Sequence, residues 1–242
     1  MTLALENVTG GYGNMPVIKN LSFEVPDGQI VGLIGLNGAG KSTTIKHIIG
    51  LLTPMQGAIK IDGHTLAEEP EAYRQAIAYV PETPVLYPEL TLKEHLELTM
   101  MAYDLDAKTT WPRVNEMLEQ FRLANKLDWF PANFSKGMKQ KVMIVAAFMT
   151  NARLYIIDEP FTGLDPLAVH DLLDLVELKK QAGAAVLMST HILATAQQYA
   201  DQFVLLNNGQ VRATGDLKSL QTQFNLADAD LDAIYMAMTR EA

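Results

Sequence analysis

The chain has 242 residues, no cysteine, and 28 acidic against 19 basic side chains, a formal net charge of −9. That length suits one or two domains with a substantial core. The missing thiols exclude disulfides, thiolate metal sites and cysteine nucleophiles, and the acidic balance argues against a nucleic-acid partner gripped by its phosphates.

Three β-type runs open the chain: LALENV, VIKNLSFEV and QIVGLIG, the last two separated by the turn signal PDGQ. The first two alternate imperfectly and are expected to pair antiparallel. A helix is predicted over residues 41–51, stopped by Thr53-Pro54, and GAIKIDG reads as a further short strand. From 90 to 149 the character changes. TLKE at 91–94 has the capping-box pattern, and further helices are expected through VNEMLEQF and KQKVMIVAAFM. Strand and helix then alternate: RLYIID, a helix over 167–181, AAVLMST, a helix near 193–199, and DQFVLL. Apolar strands alternating with helices argue for a parallel sheet covered on both faces. The expected organisation is a single α/β domain. Residues 1–89 and 150–215 form a mixed-sheet core with an antiparallel β subdomain, 90–149 a helical insert, and 216–242 a helical tail. The tail either packs on its own domain or serves as an amphipathic docking helix. No apolar run approaches the roughly 20 residues of a spanning helix, and MTLALENVTGG lacks the features of a signal peptide, so the sequence reads as soluble and cytoplasmic.

GLNGAGKS at 35–42 follows the strand IVGLI and opens a helix, the context that a phosphate-binding loop requires. Gly38 and Gly40 let successive N–H groups turn toward one anion, and the helix N-terminus adds partial positive charge. In such a loop Lys41 reaches the terminal phosphates and the Ser42 hydroxyl ligates Mg2+. NKLD at 125–128 looks like a guanine-reading motif. No Asp in the chain has Gly three residues later, the switch that a GTPase needs, and NKLD lies in a helix-rich stretch, so it is read as a decoy. LYIIDEP at 154–160 is the better partner. It is a buried strand ending in two carboxylates, at the strand end where open α/β sheets bind ligands. Asp158 is expected to orient Mg2+ through water, and Glu159 to polarise the attacking water as general base. STH at 189–191 ends the next strand, so His191 can reach a γ-phosphate.

GLNGAGKS, FSKGMKQK at 134–141, LYIIDEP, GLD and STH, in this order and spacing over nearly the whole chain, resemble the ATP-binding subunit of ABC transporters. The longer stretches PETPVLYPELTLKEHLELT, WFPANFSKGMKQKVM and MSTHILATAQQYAD are similar to the Ecs-type branch of Gram-positive bacteria. The resemblance implies a P-loop NTPase fold of ABC type, with ATP and Mg2+ as cofactors. Asn37, Gly38, Gly40, Lys41, Ser42 and Thr43 would hold the nucleotide, Tyr12 would stack on adenine, and Glu159, His191 and Lys41 would form the catalytic set. Ser135 and Gly137 would bind the γ-phosphate of an ATP held by a second copy. Two chains would then meet head to tail, with Asp165 at their shared interface.

Glu82, in YVPETP, stands where the family usually has glutamine. A carboxylate there can ligate Mg2+ beside Ser42 and Asp158 but adds negative charge near the phosphates. Lys136 replaces a glycine of the signature, while Lys139 and Lys141 read equally well as a solvated helix face or as functional groups. The partners implied are a separate transmembrane permease and a second ATPase copy, with no nucleic acid, which places the chain peripherally on the inner face of the membrane, in an exporter. The alternative is a soluble family member acting on ribosomes or DNA. About ninety residues without sustained heptads between the two motifs, and one cassette per chain, argue against it. A non-catalytic regulator is disfavoured because Glu159 and His191 are both present.

Overall fold

The computed structural model describes residues 2–240; residue 1 and residues 241–242, the outermost parts of the expected first and last segments, lie outside the described residues. The N-terminal runs form β1 (Leu3–Tyr12) and β2 (Met15–Val25), paired antiparallel as expected and closed at Gly13, where φ is 57°. β3 (Ile30–Ile34) follows, then α1 (Lys41–Ile48), β4 (Gln56–Ile61), β5 (His64–Thr65), α2 (Pro70–Gln75) and β6 (Ile77–Val80). Three helices come next: α3 (Leu92–Ala102), α4 (Ala107–Gln120) and α5 (Lys136–Phe148). The chain then alternates through β7 (Leu154–Asp158), α6 (Pro166–Gln181), β8 (Ala185–Thr190), α7 (Leu193–Tyr199), β9 (Gln202–Asn207) and β10 (Gln210–Gly215), and closes with α8 (Leu217–Gln223) and α9 (Leu231–Arg240).

Two sheets result. The four-stranded sheet has the order β2-β1-β4-β5 and is antiparallel; the six-stranded sheet has the order β10-β9-β3-β8-β7-β6. Its strands from β9 to β6 run parallel, and β10 adds antiparallel to β9. Burial of both faces explains why β7 is apolar from Leu154 to Ile157, since successive side chains enter opposite faces of the sheet. Leu154 and Ile156 pack toward the antiparallel sheet with Leu3, Ile18 and Ile45, while Tyr155 and Ile157 pack under α3–α5 with Leu96, Phe121 and Phe148. A third cluster joins Ile34, Phe203 and Leu205 to Leu220, Leu231, Ile234 and Met238, so the C-terminal helices pack on their own domain.

Several boundaries differ from the expectation for local reasons. α1 ends at Ile48, well before Thr53-Pro54, because Gly50 adopts φ 77°. Its N–H donates to the His47 carbonyl (3.1 Å) and that of Leu51 to the Lys46 carbonyl (2.9 Å), a Schellman closure. α4 begins ahead of VNEMLEQF, capped by Asp106, whose carboxylate accepts the Thr109 N–H at 3.0 Å. It carries Pro112 inside, a residue that argues against a helix when read alone. α2, β5, β6 and β10 go unnoticed in the sequence because two to six residues carry too little periodicity.

The capping box at TLKE forms. Thr91 Oγ1 accepts the Glu94 N–H (3.3 Å), and Glu94 Oε2 accepts the Thr91 N–H (2.7 Å). Thr91→Ala is expected to lower the unfolding free energy by about 1 kcal/mol. Urea denaturation measures the loss, and Thr91→Ser should restore most of it.

Candidate functional site

The C-terminal ends of β3, β7 and β8 open on one cleft of about 510 Å3. Asn37, Gly38, Gly40, Lys41, Ser42 and Thr43 form one wall; Glu82, Glu159 and His191 form the other. The loop needs its glycines. Gly38 sits at φ 84° with open space around it, so its demand is conformational. Gly40, at φ 109°, is both left-handed and close to the Ile18 side chain. Inside the loop the Ala39 N–H donates to the Leu36 carbonyl (3.0 Å), and from outside the Gly209 N–H donates to the Ala39 carbonyl (3.0 Å). Lys41, buried at the start of α1, donates to the Gly35 carbonyl at 2.8 Å and lies 3.4 Å from Glu159 Oε1.

Glu159 follows directly on β7 with φ 47°, a left-handed conformation costing a residue with a side chain roughly 1–2 kcal/mol. Its N–H donates to Ser189 Oγ (3.1 Å), which stabilises the turn. One carboxylate oxygen thus faces Lys41, while the other lies 2.7 Å from His191 Nδ1 and accepts the His191 N–H at 3.2 Å. The histidine ring is exposed to the cleft. Asp158, at the end of β7, accepts the Ser189 hydroxyl at 2.5 Å. Burial, reinforced by the charges of Glu82 and Glu159, raises its pKa above the ordinary carboxylate value, against the hydrogen bonds from Ser189 and Ser42. Ser42, Asp158 and Glu82 therefore gather oxygen donors and excess negative charge at one point. Among the described residues no three His, Asp or Glu form a metal cage by themselves. Mg2+ suits such a site, because it typically takes one or two carboxylates and completes its shell with phosphate and water.

Five expected residues lie outside the walls of this cleft: Asp158, buried behind Glu159, and four that stand farther along the chain's surface. Tyr12 ends β1, exposed, and its hydroxyl accepts from Lys46 Nζ at 3.0 Å. That bond, with a second from Thr43, pulls the phenol pKa down. Ser135 caps α5, its Oγ accepting the Met138 N–H (3.2 Å). Gly137 is needed for packing, since a Cβ there would stand 2.4 Å from the Gly163 carbonyl oxygen. Asp165 caps α6 through Oδ1 and accepts Lys141 Nζ on Oδ2 at 2.8 Å, a pairing that lowers its pKa. Lys141 is thus a buried ion-pair partner, and the solvated-face reading fails for it because its side chain turns inward to α6. NKLD is structural: the Leu127 carbonyl accepts the Lys93 N–H, and Lys126 lies over the Trp129 ring.

Two residues escaped the sequence reading. Ser189 bridges Asp158 and Glu159, and its signal was a hydroxyl ending an apolar strand. Gln140 is buried on α5 and donates to the Pro81 carbonyl (3.0 Å), joining this helix to the loop of Glu82; nothing in its sequence context marks it.

The buried Asp158 yields a stability prediction. A folded-state pKa above the unfolded value means that the ionised side chain opposes folding at neutral pH. Asp158→Asn, which still accepts from Ser189, is expected to raise the thermal midpoint of the protein without nucleotide at pH 7. The gain should vanish as pH falls below the ordinary aspartate value of 3.8, where both states are protonated. Calorimetry across pH checks both, and an unchanged midpoint at pH 7 would contradict the assignment.

The sequence profile of the ABC transporter family matches residues 18–162. The chain is 59% identical over 239 residues to the ABC-type transporter ATP-binding protein EcsA of Bacillus subtilis (strain 168), covering 99% of this chain and 97% of that protein. A solved ATP binding subunit of an ABC transporter superposes with a TM-score of 0.96 at 55% identity, covering 99% of this chain and 100% of that one. A dimeric ATP-binding cassette in a post-hydrolysis state, bound to ADP and Pi, gives a TM-score of 0.79 at 26% identity, over 89% and 98% of the two chains. Matched over more than half its length by the family profile, and nearly end to end by these relatives, the chain belongs to the ABC transporter family as one of its ATP-binding subunits.

Proposed function

We propose that this chain hydrolyses Mg-ATP within a head-to-tail dimer of two copies and drives a separate membrane permease, in an exporter of the Ecs type. The observation that carries the reading is Glu159, held between Lys41 and His191 at the edge of the phosphate loop. The loop N–H groups and the α1 N-terminus bind the phosphates. Lys41 exchanges the Gly35 carbonyl for a phosphate oxygen. Glu159 takes a proton from water on its carboxylate as the water oxygen bonds to the γ-phosphorus, and the bond to the bridging oxygen breaks to leave ADP and Pi. Such base catalysis contributes about 10²–10⁴-fold. His191 orients Glu159 and presents its exposed ring to the γ-phosphate. Ser42, Asp158 and Glu82 hold Mg2+, which when bound offsets phosphate charge.

The second copy is supported by the placement of Ser135 and Gly137. They stand at the α5 N-terminus, outside their own chain's cleft, where dipole and hydroxyl suit a phosphate brought by a neighbour. The Gly137–Gly163 contact and the Lys141–Asp165 pair make this face a preorganised surface. Among the described residues no helix is long and apolar enough to cross a membrane. The relative's role as a transporter ATP-binding protein supports a permease partner, with this chain peripheral on the inner membrane face. Tyr12 would stack on adenine.

Glu159→Gln is expected to slow turnover by about 10²–10⁴-fold while keeping ATP affinity. Light scattering of that variant should show the mass doubling only with Mg-ATP. Wild-type turnover in Glu159→Gln would sink the catalytic assignment. Glu82→Gln is expected to tighten ATP binding several-fold in EDTA, because one negative charge leaves the phosphate site, and to do so less with Mg2+ present. Isothermal titration in both buffers reads the difference.

A further inference from the structure

α9 buries Leu231, Ile234, Tyr235 and Met238, the i, i+3, i+4, i+7 face of one helix, against Ile34 at the end of β3 and against β9. The side-chain oxygen of Gln197, on α7, accepts the Leu231 N–H at 2.6 Å and ties the helix start to the segment after His191. From this seat Tyr235 reaches the phosphate loop itself. Its hydroxyl oxygen accepts the Leu36 N–H at 2.7 Å, across 199 residues of sequence. Leu36 has little else to hold it on that side. The residue is 61% exposed, so packing does little to anchor it, and its carbonyl already serves the Ala39 N–H inside the loop. Tyr235 is only 5% exposed, and burial pushes its phenol pKa up, so the acceptor is a neutral hydroxyl.

A phosphate loop works only if successive N–H groups point at one anion, so a small rotation at its first residues is carried along the loop. We propose that Tyr235 is a positioning residue for nucleotide binding: its hydroxyl fixes the Leu36 backbone and thereby sets the loop, so that ATP affinity depends on a contact from the C-terminal helix. The inference rests on the reading of the cleft as an ATP site. The same helix borders His191 across a cavity of about 200 Å3, with Asp232, Met236 and Thr239 on its far wall, which places it beside both loops that face the γ-phosphate.

Tyr235→Phe removes one oxygen and keeps the ring in its pocket. The Kd for Mg-ATP is expected to rise about 3–10-fold, the equivalent of one net hydrogen bond, with KM following and kcat within about twofold. Met238→Ala is the control. It removes packing from the same helix without touching the loop, so it should lower the melting temperature at least as much as Tyr235→Phe and leave the Kd unchanged. Wild-type affinity in Tyr235→Phe overturns the inference. Equal weakening of ATP binding in Met238→Ala also overturns it, since helix docking and not the hydroxyl would then matter. If the wild-type chain bound no ATP, the reading of the cleft would fall, and this inference with it; unchanged binding in Tyr235→Phe beside a wild type that binds ATP sinks the inference alone.

Discussion

The carboxylate of Glu159 lies between a buried ammonium and an imidazole, and much of the structure serves to hold those three groups at one place. Lys41 comes from the helix after β3, Glu159 from the turn after β7 and His191 from the turn after β8. β3, β8 and β7 are neighbours in the sheet and run parallel, so the three turns emerge at the same edge. Apolar packing on both sheet faces keeps that edge in register: β7 and β8 send alternate side chains into two cores, and β3 sends Val31 and Leu33 into one of them and Ile34 into the third cluster. The left-handed backbone at Glu159 is tolerated because Ser189 accepts its N–H.

Charge is concentrated at this edge beyond what folding alone would favour. Asp158 is buried with its pKa raised, and Glu82 and Glu159 add to the same negative potential. Such an arrangement lowers stability in exchange for a preset demand for cations, the usual tension between a site and its scaffold. The substitution of a carboxylate at Glu82 increases that demand relative to a neutral side chain.

The face bearing Ser135 and Gly137 is rigid for a different reason. Lys141 to Asp165, and Arg122 and Gln120 to Asp171, tie the helical stretch to α6 and its cap, Gly137 against Gly163 ties it to the segment before α6, and Gln140 ties it to the loop of Glu82. These contacts join α5 to the loop that carries Glu82 and to the segment after β7. The coupling runs through buried or partly buried polar contacts, where a lost partner is costly.

Contiguous signals were legible in the sequence. GLNGAGKS in its strand-to-helix context, the carboxylates ending LYIID, the cap at TLKE, the helix over 193–199 and the antiparallel start of the chain could all be read from neighbouring residues, because their geometry is set by local backbone preferences. The tertiary structure alone decided the strand order, the inward turn of Lys141 and the seat of the C-terminal helix. Gln140 meets Pro81 across 59 residues and Tyr235 meets Leu36 across 199, and neither partner differs by itself from an ordinary residue of its helix or loop. Such pairs are created by which strands adjoin and which helix faces are buried. That outcome depends on the packing of the whole chain, which no local periodicity encodes.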